Sequence, residues 1–346
     1  MMTMMTFKPN YSKAERAAHT LLQINNVREL PVKVKKLSKH FPNLRIKKYT
    51  WFAKNQGMTL QEVCEFANSD EGCCYYKKTT GQYLILYNDQ VENKGRIRWT
   101  IAHELGHFML KHNEISNRAT LGRSSLSDSE YEIFEKEANC FARELLAPPT
   151  VIIKLGKVEI FDIQNICEMS EEAASNVISF LNTGQRMGYG YTFNSTLEKM
   201  FSNFIYKMKN NHYCGDCRSY FIFTDPSFCP ICRNQKITKT FYTYRGINNV
   251  KYNGYDVDAN GRALACPQCG NEELNYNGAH CKICGVNVVN KCTNVEEWNG
   301  EIQWECGTIL DGNARYCPNC GSKSTFFEQK LLENWEIEKE KDLIPF

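Results

Sequence analysis

The stretch RWTIAHELGHFMLKH, residues 98–112, carries two histidines four positions apart with a glutamate directly after the first. Histidines with this spacing on a helix project from one face, because four steps overshoot one turn by only about 40°. The pattern predicts that His103 and His107 bind one metal ion and that Glu104, about 100° around the helix, is a catalytic base. Two solvated histidines are the alternative, which the apolar context disfavours. Gly106 is expected to leave room near the cleft.

A second helix is needed for the third protein ligand. Metzincins would have a histidine at position 113, but Asn113 stands there. The next strongly helical stretch, SEYEIFEKEANCFARELLAPP from residue 129, is expected to begin after an N-cap at Ser127 or Ser129. The glutamates available as ligands on it are Glu132, Glu135, Glu137 and Glu144.

One of these glutamates shares a helical face with apolar residues. Glu135 lies at helical spacing from Ala138, Asn139, Ala142 and Leu145, on the side expected to pack against the histidine helix. Glu137 projects from a different side. We therefore predict Glu135 as the third ligand, with Asn139 one turn away to orient a ligand.

Both helices together resemble the ImmA/IrrE family of zinc metallopeptidases. The likeness spans roughly residues 15–185, and RWTIAHELGHFMLKH and EKEANCFARELLAPP carry it. It implies that His103, His107 and Glu135 hold a catalytic Zn2+. ImmA-like members cut helix-turn-helix repressors of mobile elements such as prophages, and IrrE-like members act through a repressor in DNA-damage responses.

Three protein ligands leave a fourth position for a water whose pKa zinc lowers to about 7. Glu104 would take the proton of this water and return it to the leaving amine. The second oxyanion donor is unassigned. Tyr131 and His112 are nearby candidates, and a polar residue at a helix end is the simpler interpretation of His112.

The remaining N-terminal sequence predicts short helices and a small sheet. Two helices are expected between residues 12 and 40, the second beginning at Pro31. Residues 43–51 are basic and β-rich, and residues 81–88 have the composition of a strand. The predicted fold class is α+β, with a mainly helical zincin-like metallopeptidase domain, a small β-sheet and then zinc-ribbon modules.

Seventeen cysteines occur in a chain without a recognisable export signal, and twelve of them follow residue 213. Cytosolic thiols are kept reduced, so metal binding is the expected role. Two sets of paired CxxC motifs predict zinc ribbons, and a less regular third set is assigned with them. The sets are Cys214, Cys217, Cys229 and Cys232; Cys266, Cys269, Cys281 and Cys284; and Cys292, Cys306, Cys317 and Cys320. The C-terminal sequence also resembles the zinc ribbons of some family members.

These ligand sets predict one catalytic and two or three structural zinc ions. Complete four-thiolate sites are closed, so the ribbons would bind partners or act as a scaffold. The predicted boundaries are a metallopeptidase domain at 1–190, a linker helix at 191–211, ribbons at 212–240, 262–288 and 289–325, and a solvated or frayed tail at 326–346.

Charge does not decide what the ribbons bind. The formal net charge is +3, too close to balance to indicate nucleic acid. Residues 201–265 contain nine Lys/Arg against four Asp/Glu, interleaved with aromatic residues that include Tyr242 and Tyr244. DNA and protein partners are therefore equally favoured.

The function predicted from the sequence is cytoplasmic zinc-dependent cleavage of a helix-turn-helix repressor, with substrate docking outside the cleft. The alternative is a zinc-dependent regulatory or DNA-binding protein with little or no peptidase activity. A redox switch built on Cys73 and Cys74 has no supporting motif. The chain lacks a stretch of about 20 apolar residues, so no membrane partner is expected.

Overall fold

The computed structural model describes residues 8–121, 126–186, 194–241, 249–274 and 278–343. The chain forms two compact units, Met1–Tyr206 and Lys207–Phe346. Helices combine with small sheets, which confirms the α+β class. Among the described residues, no helix is both long and apolar enough to cross a bilayer. Part of the predicted linker, Tyr242 and Tyr244 lie outside the described residues.

The first unit is mainly helical, with one small sheet near its beginning. Its α-helices are α1 (Tyr11–Ile24), α2 (Tyr49–Gln56), α3 (Leu60–Ala67), α4 (Lys94–Leu110), α5 (His112–Ile115), α6 (Asp128–Leu146), α7 (Pro149–Leu155), α8 (Ile160–Cys167), α9 (Glu171–Arg186), α10 (Ser195–Met200) and α11 (Ser202–Lys209), the last of which continues into the second unit. A 3-10 helix spans Val34–His40, and the strands are β1 (Leu44–Lys48), β2 (Gly72–Lys77) and β3 (Gln82–Tyr87).

The sheet has the strand order β1-β3-β2. β1 is parallel to β3, and β2 is antiparallel to it, so β2 is an edge strand. Gly72 lets β2 approach α4, since a Cβ atom there would come within 2.6 Å of the Thr100 side chain. At Gly72 the backbone of β2 therefore lies directly against α4.

Helices α4 and α6 pack closely through small residues. A Cβ atom on Gly106 would lie 3.1 Å from Cα of Ala138 and 3.2 Å from the Phe141 side chain. Gly106 thus permits helix packing; the expectation that it leaves room in the cleft is wrong. Ser127 caps α6 in a capping box with Glu130, as one of the two predicted caps.

The second unit is built on short strands and cysteine clusters. Its elements are β4 (Asn211–Cys214), β5 (Ser219–Ile222), β6 (Ile237–Lys239), β7 (Val295–Trp298), β8 (Glu301–Glu305), α12 (Thr325–Glu328) and α13 (Trp335–Leu343). β4 lies between β5 and β6, and β7 and β8 form a separate hairpin. Backbone hydrogen bonds join the first and third cysteine sets. The Arg315 N–H donates to the Pro230 carbonyl at 2.8 Å, and the Phe228 N–H donates to the Pro318 carbonyl at 2.9 Å.

Three local expectations need correction. The helix expected from Pro31 is the 3-10 helix from Val34, and the β-rich segment becomes helical at Tyr49. The tail is not merely solvated, because Glu338 on α13 is buried and its Oε1 accepts from the buried Arg315 guanidinium at 2.5 Å. This ion pair ties α13 to the third cysteine set.

Candidate metal centre and cysteine clusters

Helices α4 and α6 bring three side chains to one point. Nε2 of His103 lies 3.0 Å from Nε2 of His107, and each lies 3.4 Å from a carboxylate oxygen of Glu135. Ligand atoms about 2.0–2.1 Å from a tetrahedral zinc ion lie about 3.3–3.4 Å from one another. The spacing and donor types of the three side chains therefore fit Zn2+.

Hydrogen bonds orient both imidazoles toward this point. Nδ1 of His103 lies 3.0 Å from Oδ1 of Asn139, and an amide oxygen can only accept. Nδ1 of His103 therefore carries the proton, which leaves Nε2 free to bind a metal. Asn139 lies where the sequence predicted an orienting residue, one turn from Glu135 on α6.

Behind His107 runs a buried chain of hydrogen bonds. His112 Nε2 lies 2.9 Å from a carboxylate oxygen of Glu137, which can only accept. His112 Nδ1 is thus the acceptor for Nδ1–H of His107, 2.9 Å away. The second Glu137 oxygen accepts the backbone N–H of Asn10 at 2.6 Å. In this series of hydrogen bonds His107 donates to His112, and His112 donates to Glu137. Nε2 of His107 is therefore left to bind a metal.

Electrostatics agree with this arrangement. Burial lowers the pKa of His107 to about 3, so its ring is neutral and keeps its lone pair at neutral pH. Burial opposes protonation of His103 as well, but the hydrogen bond to Glu135 and the charge of Glu104 raise the pKa of His103 to about 9. The carboxylate charges that favour a proton on His103 would equally favour a metal cation at this point.

Glu104 lies beside the three side chains and is not one of the converging donors. Burial raises the pKa of Glu104 to about 7, while the positive charge of His103 opposes that rise. The backbone N–H of Cys74 on β2 donates to its carboxylate. A buried carboxyl group with this pKa can exchange a proton near neutral pH, as a general base must.

A cleft of about 530 Å3 opens onto these groups. Residues 67–74, at and before the start of β2, form one wall, and Trp99, Tyr131 and Asn139 lie on the helical side. Tyr131 thus faces the same cleft as Glu104, as expected of a candidate oxyanion donor. The cleft thus lies between the beginning of β2 and the two helices that carry the converging side chains.

Residues 57–200 match the model of the M78 peptidase family, described as the IrrE N-terminal-like domain. This segment is an M78-family domain. The match confirms the resemblance read from the two helices, and it includes α4, α6 and the cleft wall. No curated protein matches the chain.

The position of His112 in the M78 domain fits neither of the two roles considered from the sequence. His112 is fully buried, on the side of His107 that faces away from the converging Nε2 atoms. It is therefore neither an oxyanion donor nor a polar residue at an exposed helix end. Glu137, which the helical face analysis set apart from Glu135, is its partner.

Cys73 and Cys74 of the M78 domain are both buried. Burial raises the pKa of both thiols, so the reactive thiolate is disfavoured. This environment argues against a redox switch at these two residues, in agreement with the absence of a motif.

Outside the M78 domain, the structure gathers the twelve C-terminal cysteines into the three predicted sets of four. Sulfur atoms lie 3.5 Å apart for Cys214 and Cys232, and 3.4 Å apart for Cys292 and Cys320. Thiolates about 2.3 Å from a tetrahedral zinc ion lie about 3.8 Å apart. All three clusters therefore fit zinc ribbons, including the irregular third set.

The β7–β8 hairpin went unrecognised in the sequence. Its turn is Asn299-Gly300, and both residues have positive φ, at 53° and 80°. Asn-Gly between short runs that contain apolar residues is the strongest local hairpin signal, so this signal was available.

Proposed function

We propose that the chain is a zinc-dependent endopeptidase that cleaves a helix-turn-helix transcriptional repressor. The observation that carries the proposal is the position of the Glu104 carboxylate beside the converging donors of His103, His107 and Glu135. Membership of residues 57–200 in a peptidase family supports a protein substrate. The repressor as substrate rests on the ImmA/IrrE resemblance.

Each residue has a defined role in this proposal. A zinc ion held by His103, His107 and Glu135 would supply Lewis acidity that makes water a nucleophile at neutral pH. Glu104 would accept the proton of the attacking water, orient its oxygen toward the scissile carbonyl and return the proton to the departing amine. Tyr131, which lines the same cleft, would donate to the developing oxyanion.

The substrate would lie in the cleft, beside residues 67–72 that precede and begin β2. The outer edge of β2 is itself largely occupied, because the Cys74 N–H donates to Glu104, the Cys74 carbonyl accepts from Asn113, and the Tyr76 N–H donates to the Ala119 carbonyl. The cut would fall in a loop or linker of the repressor, where the scissile backbone carbonyl is not bonded within a helix. Docking outside the cleft would then supply much of the specificity.

The test uses the zinc-loaded wild type, Glu104→Gln, and Glu132→Gln as a matched control on the exposed side of α6. Each is incubated with helix-turn-helix repressors encoded near its gene, and products are identified by mass spectrometry. One discrete cut by the wild type and the control but not by Glu104→Gln supports the proposal. Equal cutting by all three variants contradicts the role of Glu104.

A regulatory or DNA-binding role with little peptidase activity is the competing proposal, and the three cysteine clusters favour it. It would gain if neither wild type nor Glu104→Gln cut any repressor while both held four zinc ions. The same incubation with an unstructured casein substrate separates an inactive site from an incorrect choice of repressor, because an open endopeptidase site cuts unfolded chains.

A further inference from the structure

The third cysteine set differs from the other two by an insertion. The first two follow C-x2-C-x11-C-x2-C, whereas the third has thirteen residues between Cys292 and Cys306. The excess of eleven residues equals the length of the β7–β8 hairpin with its turn, residues 295–305. The hairpin is thus inserted into a zinc knuckle.

The knuckle itself is preserved around the insertion. The backbone N–H of Asn294 points to the Cys292 sulfur at 3.4 Å, as that of Ile231 does to Cys229 in the first set. The Cys306 N–H then donates to the Asn294 carbonyl at 3.0 Å and closes the base of the hairpin. The inserted residues contribute no thiolate, so metal binding does not explain them.

Packing does not explain the hairpin either. All eleven residues are exposed, including Trp298 at 71%, Ile302 at 59% and Trp304 at 49%. Large apolar side chains in a zinc module usually fill its thin core, but these three fill none. Three large apolar side chains exposed on one short hairpin are typical of an interaction surface.

The hairpin also has an unusual pairing pattern. In each of its four cross-strand pairs, one apolar residue faces one glutamate. The pairs are Val295 with Glu305, Trp304 with Glu296, Ile302 with Glu297, and Trp298 with Glu301. The hairpin contains no lysine or arginine, so it carries four negative charges within eleven residues. Of these charges, Glu305 pairs with Lys291 at 3.4 Å, outside the hairpin.

We propose that the β7–β8 hairpin is a docking surface for a lysine- or arginine-rich segment of another protein that carries apolar side chains between its cations. The tryptophans would anchor the apolar side chains, and the glutamates would pair with the cations. Nucleic acid is excluded at this surface, because four carboxylates repel the phosphate backbone. The surface goes beyond the peptidase proposal and does not depend on it.

The test uses the full-length, zinc-loaded chain labelled with 5-fluorotryptophan. Its five tryptophans give five fluorine NMR signals, and Trp298→Phe and Trp304→Phe assign the two in the hairpin. The first probe is the lysine–valine peptide, twelve residues in which lysine and valine alternate. In the glutamate–valine peptide glutamate replaces each lysine, and in the serine peptide serine replaces each valine. The fourth probe is a duplex DNA. We expect the lysine–valine peptide to shift the Trp298 and Trp304 signals and to bind about tenfold more tightly than the serine peptide.

Charge and fold are controlled separately. Replacing Glu296, Glu297 and Glu301 by glutamine should weaken the lysine–valine peptide about tenfold, whereas the control triple Glu272→Gln, Glu336→Gln and Glu340→Gln, which removes the same charge elsewhere in the unit, should not. Deleting residues 295–305 leaves Cys292-Thr293-Asn294-Cys306, a standard C-x2-C knuckle. This variant should keep its zinc and lose the peptide.

Three results with the wild-type chain would overturn the proposal. They are no shift of Trp298 or Trp304 with the lysine–valine peptide, equal binding of the glutamate–valine peptide, and a shift of these signals by duplex DNA. Binding that survives the deletion also overturns it. If the deletion variant fails to hold zinc, the two glutamine triples decide, since they change no ligand and no apolar side chain.

Discussion

Nδ1 of His107 lies 2.9 Å from Nδ1 of His112, so the two rings share one proton between them. The carboxylate of Glu137 fixes which ring donates, because it accepts from Nε2 of His112. A metal-binding histidine is usually held by a carboxylate or a carbonyl directly. Here His112 stands between His107 and the carboxylate of Glu137, which also accepts the backbone N–H of Asn10.

His112→Ala or Glu137→Gln should weaken zinc binding at the catalytic site by about 10–100-fold, the usual effect of removing a group that orients a ligand. The affected property is the tautomer and orientation of His107, so affinity should fall even where the fold survives. Competition with a chromophoric chelator measures the zinc dissociation constant.

The matched control for these two variants is Glu132→Gln, on the same helix but exposed. Its zinc affinity should equal that of the wild type. Circular dichroism with the metal bound separates lost orientation from lost structure. Unchanged zinc affinity in both His112→Ala and Glu137→Gln would show that the histidine pair does not position the ligand.

Gly106→Val should destabilise the M78 domain by about 1–3 kcal/mol, and Gly106→Ala by less. The reason is the close approach of α4 and α6, where even a single Cβ atom would lie 3.1 Å from Cα of Ala138. Denaturant unfolding with separate probes for the two units measures the change. If the valine variant is as stable as the wild type, the helices must be able to separate without cost.

The metal centre was predictable because helical periodicity fixes relative positions within α4 and within α6. His103, His107, Glu135 and Asn139 follow from spacings of four, and the helical face with Ala138, Ala142 and Leu145 indicated which side of α6 meets α4. The structure brings these four side chains together. The roles of the two histidines and Glu135 as ligands, and of Asn139 as an orienting residue, stay predictions.

The role of His112 could not be read from the same periodicity. Five positions after His107, it would point about 140° away if the helix continued. Lys111 instead has positive φ, at 60°, and ends α4 in the left-handed region. That single residue turns His112 back beneath His107, and no apolar pattern indicates such a reversal.

Arg315→Ala should destabilise the second unit by about 3–5 kcal/mol, because it leaves the buried carboxylate of Glu338 without its cation. The guanidinium is fully buried and also donates to the backbone carbonyls of Asn313 and Glu333. Thermal unfolding of the zinc-loaded chain measures the effect. Lys341→Ala, which breaks an exposed pair with Glu333, serves as the control and should change little.

Zinc removal should affect the two units differently. Two core clusters among the described residues of the second unit are built around cysteines such as Cys214 and Cys266, so the folding of this unit should depend on metal. The first unit packs α1, α4 and α6 against one another through fully buried apolar side chains and should stay folded. Hydrogen exchange read by mass spectrometry, before and after a strong chelator, should show lost protection across residues 211–343 and retained protection in α4 and α6. Retained protection around Cys214 and Cys266 without metal would show that these ribbons fold by packing alone.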